Sequence, residues 1–137
     1  MARLFERLEM AEKAVCRLQE VMALDNPGLV ERDAAIQRFE FTFEAVWKAA
    51  KAFLAEHEGI EAASPKSAIR SCREVGILDD DEATMALVMA DDRNLTVHTY
   101  NESLAVEIYS RLKDYSPLLN KWLIEMKNRS RRLLQNP

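Results

Sequence analysis

The sequence predicts an all-α fold, an antiparallel up-and-down bundle of four main helices with an additional short helix. Three observations carry it. Apolar residues recur at three- and four-residue steps along most of the chain. The 137 residues include only 3 Gly and 4 Pro, too few for the many tight turns of an all-β fold. With 48% hydrophobic and 31% charged residues, a chain of this length can bury a core without disulfides or a structural metal, and one domain spanning 1–137 is expected.

The first helix follows from Leu4, Leu8, Ala11, Val15, Leu18 and Met22, which share one face and stop near Asp25-Asn26-Pro27-Gly28. A second stripe, Ile36, Phe39, Phe43, Trp47, Ala50 and Leu54, ends at Gly59, and its aromatics read as core. Ser64-Pro65 supplies an N-cap and a first-turn proline for a short helix through Ile69 and Cys72, closed by Gly76. The acidic run Asp79-Asp80-Asp81-Glu82 precedes Met85, Val88 and Met89, so it reads as the N-terminus of a helix rather than a cation site. Thr99-x-x-Glu102 has the form of a capping box before Leu104, Ile108 and Leu112. Ser116-Pro117 offers a break or kink before Leu119, Trp122, Leu123 and Met126. Long helices with short connections imply antiparallel neighbours.

Net charge of -4 argues against a chain that coats nucleic acid with its whole surface, though a local basic site remains open. The run Lys127 to Arg132 is the clearest basic patch and reads first as a solvated end. Cys16 and Cys72 lack metal-ligand spacing and read as buried small hydrophobes in a reducing compartment. Charged residues near the N-terminus and the lack of a long apolar run point to a cytoplasmic location.

His57 sits at a helix C-terminus, where an imidazolium suits the dipole and needs no function. His98 differs, because Arg93 precedes it by five positions and Tyr100 follows it by two. That places a fixed positive charge, a titratable base and a phenol in one segment. On a straight helix Arg93 and His98 would be separated by about 7.5 Å of rise and roughly 140° of rotation, so convergence needs a bend or a long reach, and the capping box at Thr99 suggests such a bend. Arginine can hold a phosphate bidentately, and a histidine can move a proton to or from a ribose hydroxyl. With 12 Arg and 2 His in 137 residues, the bare Arg-x4-His spacing arises in about one such chain in six. Adding Asn94 and Tyr100 lowers that to roughly a few in ten thousand. Pairing of Arg93 with Asp91, Asp92 or Glu102 remains an alternative in which the segment is only structural.

The segment Arg93-Asn94-x-x-x-His98-x-Tyr100, with Asp91-Asp92 before it and Asn101-Glu102 after it, resembles the HEPN superfamily, specifically the nucleotidyltransferase substrate-binding proteins. Phe39 to Lys48 resembles that family's second-helix signature, and Ser64-Pro65-Lys66 with Ala68-Ile69-Arg70 resembles the segment after it. The likeness runs from about Arg32 to Trp122. It implies a HEPN-like four-helix bundle, a homodimer, and a separately encoded minimal nucleotidyltransferase as partner. It further implies a toxin that cleaves RNA without a metal and is neutralised by adenylylation of the motif tyrosine. Carried over, Arg93 and His98 are the catalytic pair, Tyr100 the modifiable hydroxyl, and Asn94 and Glu102 neighbours that bind nucleotide or RNA. No cofactor, metal or membrane association is expected. The alternative is a non-catalytic nucleotide- or substrate-binding subunit of a two-component nucleotidyltransferase. Nothing in the chain resembles the Gly-Ser…Asp-x-Asp arrangement of a nucleotidyltransferase, so that activity is not expected of it.

Overall fold

The computed structural model describes residues 2–135, and the apolar stripes become five α-helices. These are α1 (Ala2–Met22), α2 (Leu29–Phe53), α3 (Pro65–Glu74), α4 (Asp80–Leu95) and α5 (Glu102–Gln135). Among the described residues there is no strand.

Pairs across helices fix their directions. Thr42 Oγ1 lies 3.1 Å from the Ala14 carbonyl and Arg38 Nη1 donates to the Arg17 carbonyl at 2.8 Å, so α1 and α2 are antiparallel. Asp92 meets Arg111 while Glu82 meets Lys121, which makes α4 antiparallel to α5. Arg32 reaches Glu102 and Phe39 stacks on Tyr115, so α2 and α5 run together. The four long helices therefore alternate in direction, as expected. Short α3 lies antiparallel to α4 through Lys66–Asp91 at 2.7 Å and Arg73–Asp80 at 3.5 Å.

The core is built from the predicted stripes of α1, α2 and α5, with Phe39, Phe43, Phe53 and Trp122 among its largest side chains. Each large apolar side chain buried this way contributes about 1.5–3 kcal/mol. Helix α4 departs from expectation. Met89 is buried, but Met85 and Val88 are 39% and 48% exposed, because the face turned to the core is Ala83, Ala86, Met89 and Ala90. Small side chains let α4 approach its neighbours closely and leave its larger ones outside. Cys72 is buried as expected, and burial pushes its thiol up to about 11. Cys16 is exposed, contrary to expectation, because Val15 and Leu18 occupy the core face of that turn.

The predicted helix ends hold at Ser64 and Asp79, each closing a reciprocal capping box. Gly59 follows a π-helical turn (Leu54–Glu58) at φ 65°, a left-handed conformation that favours glycine. The Thr99 capping box does not form. Thr99, at φ −74° and ψ 3°, lacks the extended backbone of an N-cap and donates its hydroxyl to the Thr96 carbonyl at 2.9 Å. Asn101 caps α5 instead, its Oδ1 accepting from the Leu104 N–H at 3.3 Å. Ser116-Pro117 does not end a helix either. Pro117 lies inside α5, where the buried neighbours Tyr115, Ser116, Leu118 and Leu119 hold the turn that lacks one hydrogen bond.

The basic run near the C-terminus divides: Arg131 and Arg132 are exposed, as expected of a solvated end, while Lys127 and Arg129 hold neighbouring elements. Arg129 donates to the Val75 and Gly76 carbonyls at 2.7 and 2.8 Å, and Lys127 pairs with Glu12 at 3.0 Å. Among the described residues no helix is long and apolar enough to cross a membrane.

Candidate functional site

Helix α4 ends in consecutive residues that face different neighbours. Asp92 is buried, 4% exposed, and accepts from Arg111 Nε and Nη2 at 2.7 and 2.9 Å and from the Tyr115 hydroxyl at 2.5 Å. The Tyr115 ring stacks on Phe39, with centroids 5.5 Å apart. A buried carboxylate is tolerated because a bidentate guanidinium and a phenol satisfy it. Burial and, next, the bond to Asp92 raise the Tyr115 hydroxyl well above its ordinary range, and the same carboxylate raises the Arg111 guanidinium. The end of α4 is thereby clamped to α5, with α2 behind it.

One residue on, Arg93 turns to α2. Its Nη2 lies 3.2 Å from Glu44 Oε2 and 3.9 Å from Glu40 Oε1, while its buried Nε has no acceptor among the described residues. The pairing options open in the sequence are all taken elsewhere: Asp91 by Lys66, Asp92 by Arg111 and Glu102 by Arg32.

After Leu95 the chain tightens into a 3₁₀ turn, Thr96–His98, anchored by the buried Thr96, whose hydroxyl donates to the Arg93 carbonyl at 2.7 Å. The expected bend is therefore present and begins three residues before Thr99. It carries His98 and Tyr100 to the surface together. His98 Nδ1 lies 3.5 Å from the Tyr100 hydroxyl, the outer limit of a hydrogen bond, and the rings meet edge-on at 5.9 Å. The Tyr100 side chain is 85% exposed. Arg93 and His98 make no direct contact. Asn94 is exposed, and Glu102 forms a two-pronged bond to Arg32 at 2.5 and 3.2 Å. Arg32 holds the Glu102 carboxyl below its ordinary range, and Glu102 in turn raises the Arg32 guanidinium.

This motif lies within a recognisable sequence family. The family described as "Nucleotidyltransferase substrate binding protein like" matches residues 6–128. The chain belongs to that family. It is 60% identical to a Thermus thermophilus protein of known crystal structure, with a TM-score of 0.82 over 85% of this chain and 98% of that one. A Shewanella oneidensis HEPN toxin, solved tri-AMPylated in complex with an MNT antitoxin, superposes with a TM-score of 0.71 over 93% of this chain and 98% of that one; at 13% identity this likeness shows the fold alone. The Haemophilus influenzae protein "Probable ribonuclease HepT" is 32% identical over 85 residues, which are 59% of this chain and 57% of that relative's length. The chain thus spans little more than half the length of that curated relative.

For this member of the nucleotidyltransferase substrate-binding family, sequence reasoning finds His98 with Tyr100 but not what surrounds Arg93. It misses Glu40, Glu44, Arg111 and Tyr115. The first pair does carry a signal: each follows a core phenylalanine, Phe39 or Phe43, and they stand four residues apart on one helix. Carboxylates at the edge of an apolar stripe call for a cationic partner.

Proposed function

We propose that this chain is the HEPN partner of a separately encoded minimal nucleotidyltransferase and a toxin-like, metal-independent endoribonuclease. The observation that carries this reading is the His98–Tyr100 pair, an imidazole and a phenol side by side on an exposed turn one helical end beyond Arg93. In the reaction, the ribose 2′-oxygen bonds to the adjacent phosphorus and His98 takes its proton. The bond from phosphorus to the 5′-oxygen breaks, and that oxygen receives a proton, leaving a 2′,3′-cyclic phosphate and a 5′-hydroxyl. Arg93 neutralises charge on the phosphate, and Asn94 contacts RNA beside it. A homodimer would supply a second imidazole, so that one copy serves as base and the other as acid. The outward residues Met85 and Val88 of α4 give a second copy apolar surface to cover.

Tyr100 is the point at which a nucleotidyltransferase would act. Its exposed phenol can lose its proton to solvent as the oxygen attacks the α-phosphorus of ATP, displacing pyrophosphate and leaving an adenylyl group beside His98 Nδ1. That group would crowd the imidazole and bring a like charge to the position the RNA phosphate must occupy. Expression of the chain alone should slow bacterial growth, and His98→Ala should restore it. Co-expression with a nucleotidyltransferase encoded beside it should add adenylate at Tyr100, read by peptide mass. Harmless expression of the wild-type chain would contradict the toxin assignment.

A second reading has one observation in its favour. Arg93 is engaged with Glu40 and Glu44, as expected of a charge with a structural role. In that case the chain is a non-catalytic subunit that binds nucleotide or substrate for its partner, and RNA stays intact in its presence.

A further inference from the structure

The face of α2 that receives Arg93 continues into a cationic cleft. Glu44 bridges Arg93 and Lys48, at 3.2 and 3.6 Å. Beyond Lys48, a cavity of about 220 Å³ opens between α1 and the end of α2, walled by Arg3, Arg7, Trp47, Lys48 and Lys51, with Glu56 the one acid in its lining. Among the described residues the lining holds four cations, of which Lys48 is already paired with Glu44, against one acid, a local inversion in a chain of net charge -4. The first turn of α1 contains no acid and carries Arg3, although a helix N-terminus favours acids over cations. Trp47 supplies the largest side chain of the cleft wall. It is 8% exposed, and its buried Nε1 donor has no acceptor among the described residues. Its ring is too covered to serve as a stacking platform, and it forms part of the cleft wall. A small cleft walled by cations suits one phosphate group, being below the roughly 300 Å³ at which pockets for whole drug-sized ligands begin. Lys51 lies about 10 Å along α2 from Glu44, so one flexible strand can reach from the cleft to Arg93.

We propose that this cleft is a phosphate subsite that holds a backbone phosphate of single-stranded RNA whose reactive phosphate lies at Arg93 and His98. The RNA assignment rests on the proposed function, but binding here does not require cleavage.

The test uses the His98→Ala chain in EDTA, with a fluorescently labelled, unstructured oligoribonucleotide titrated by anisotropy and AMP as competitor. Arg7→Glu/Lys51→Glu, two changes at partly or fully exposed positions, should weaken RNA binding by about tenfold or more and flatten its salt dependence by about one to two in logarithmic slope. In a Trp122→Phe background, where Trp47 is the one remaining tryptophan, RNA should change the emission and AMP should do so only at far higher concentration. Unchanged RNA affinity in the double variant would overturn the proposal. So would AMP binding as tightly as RNA, which would make this a free-nucleotide site. So would loss of nucleotidyltransferase binding with RNA binding intact, which would make it a protein-docking face. If the wild-type chain cleaves no RNA but RNA binding still depends on Arg7 and Lys51, the ribonuclease reading fails and the subsite stands.

Discussion

Arg93 is the residue whose state decides most about this site. Its side chain is 28% exposed and its guanidinium faces two carboxylates, so a phosphate approaching it must compete with Glu40 and Glu44. The partly exposed Glu44 pair is worth about 0.5–1 kcal/mol. Glu44→Gln should remove much of that competition while leaving an acceptor of the same shape. RNA affinity should then rise by about two- to fivefold in an equilibrium titration, because both Arg93 and Lys48 lose a bound counter-charge. Affinity that falls instead would mean that Glu44 is needed to orient Arg93. His98 stands in a different environment, on an exposed turn with one phenol at its Nδ1 and, among the described residues, no partner at its Nε2.

At the scale of the element, the end of α4 is the unit that matters. Asp92 draws one side of it onto Arg111 and Tyr115 while Arg93 engages α2 from the next position. Asp92→Asn keeps the volume but loses the ionic part of the bidentate bond, and should cost about 2 kcal/mol in a denaturant melt. The same variant should lower RNA affinity, because the clamp that fixes Arg93 loosens. Wild-type stability in this variant would show that Asp92 is dispensable to the packing. The stripes of α1, α2 and α5 can be read in sequence because large side chains repeat there with one helical period. The α4 stripe cannot, because its core residues are mostly alanines and its conspicuous Met85 and Val88 face out. The bend after α4 is legible from Thr99 and Glu102, but for the wrong reason: Thr99 bonds backward to Thr96, and Glu102 is taken by Arg32, 70 positions away. His98 and Tyr100 can be found because two residues of separation is a local fact. The carboxylates at Arg93 and the Trp47 cleft depend on tertiary contacts that no spacing rule contains.

At the scale of the molecule, α5 spans 34 residues and ties the fold together, reaching Arg32, Asp92, Glu82, Glu12 and the α3–α4 turn along its length. Its Tyr115 links stability to pH. The hydroxyl is raised from the ordinary value of 10.0 in the folded chain, chiefly by burial. The unfolded chain therefore releases this proton first. The contribution of Tyr115 is fully present below about pH 10 and is lost progressively as pH rises from there toward its folded value. Melting curves should show this alkaline decline, and Tyr115→Phe should flatten it. An equal decline in that variant would place the responsible group elsewhere.

The central claim, that this helical bundle cleaves RNA with His98 and Arg93, is tested most directly by incubating the purified chain with RNA in EDTA beside its His98→Ala variant. The wild-type chain should yield fragments ending in a 2′,3′-cyclic phosphate, and the variant should leave the RNA intact. Intact RNA in both reactions, or equal cleavage in both, would contradict it.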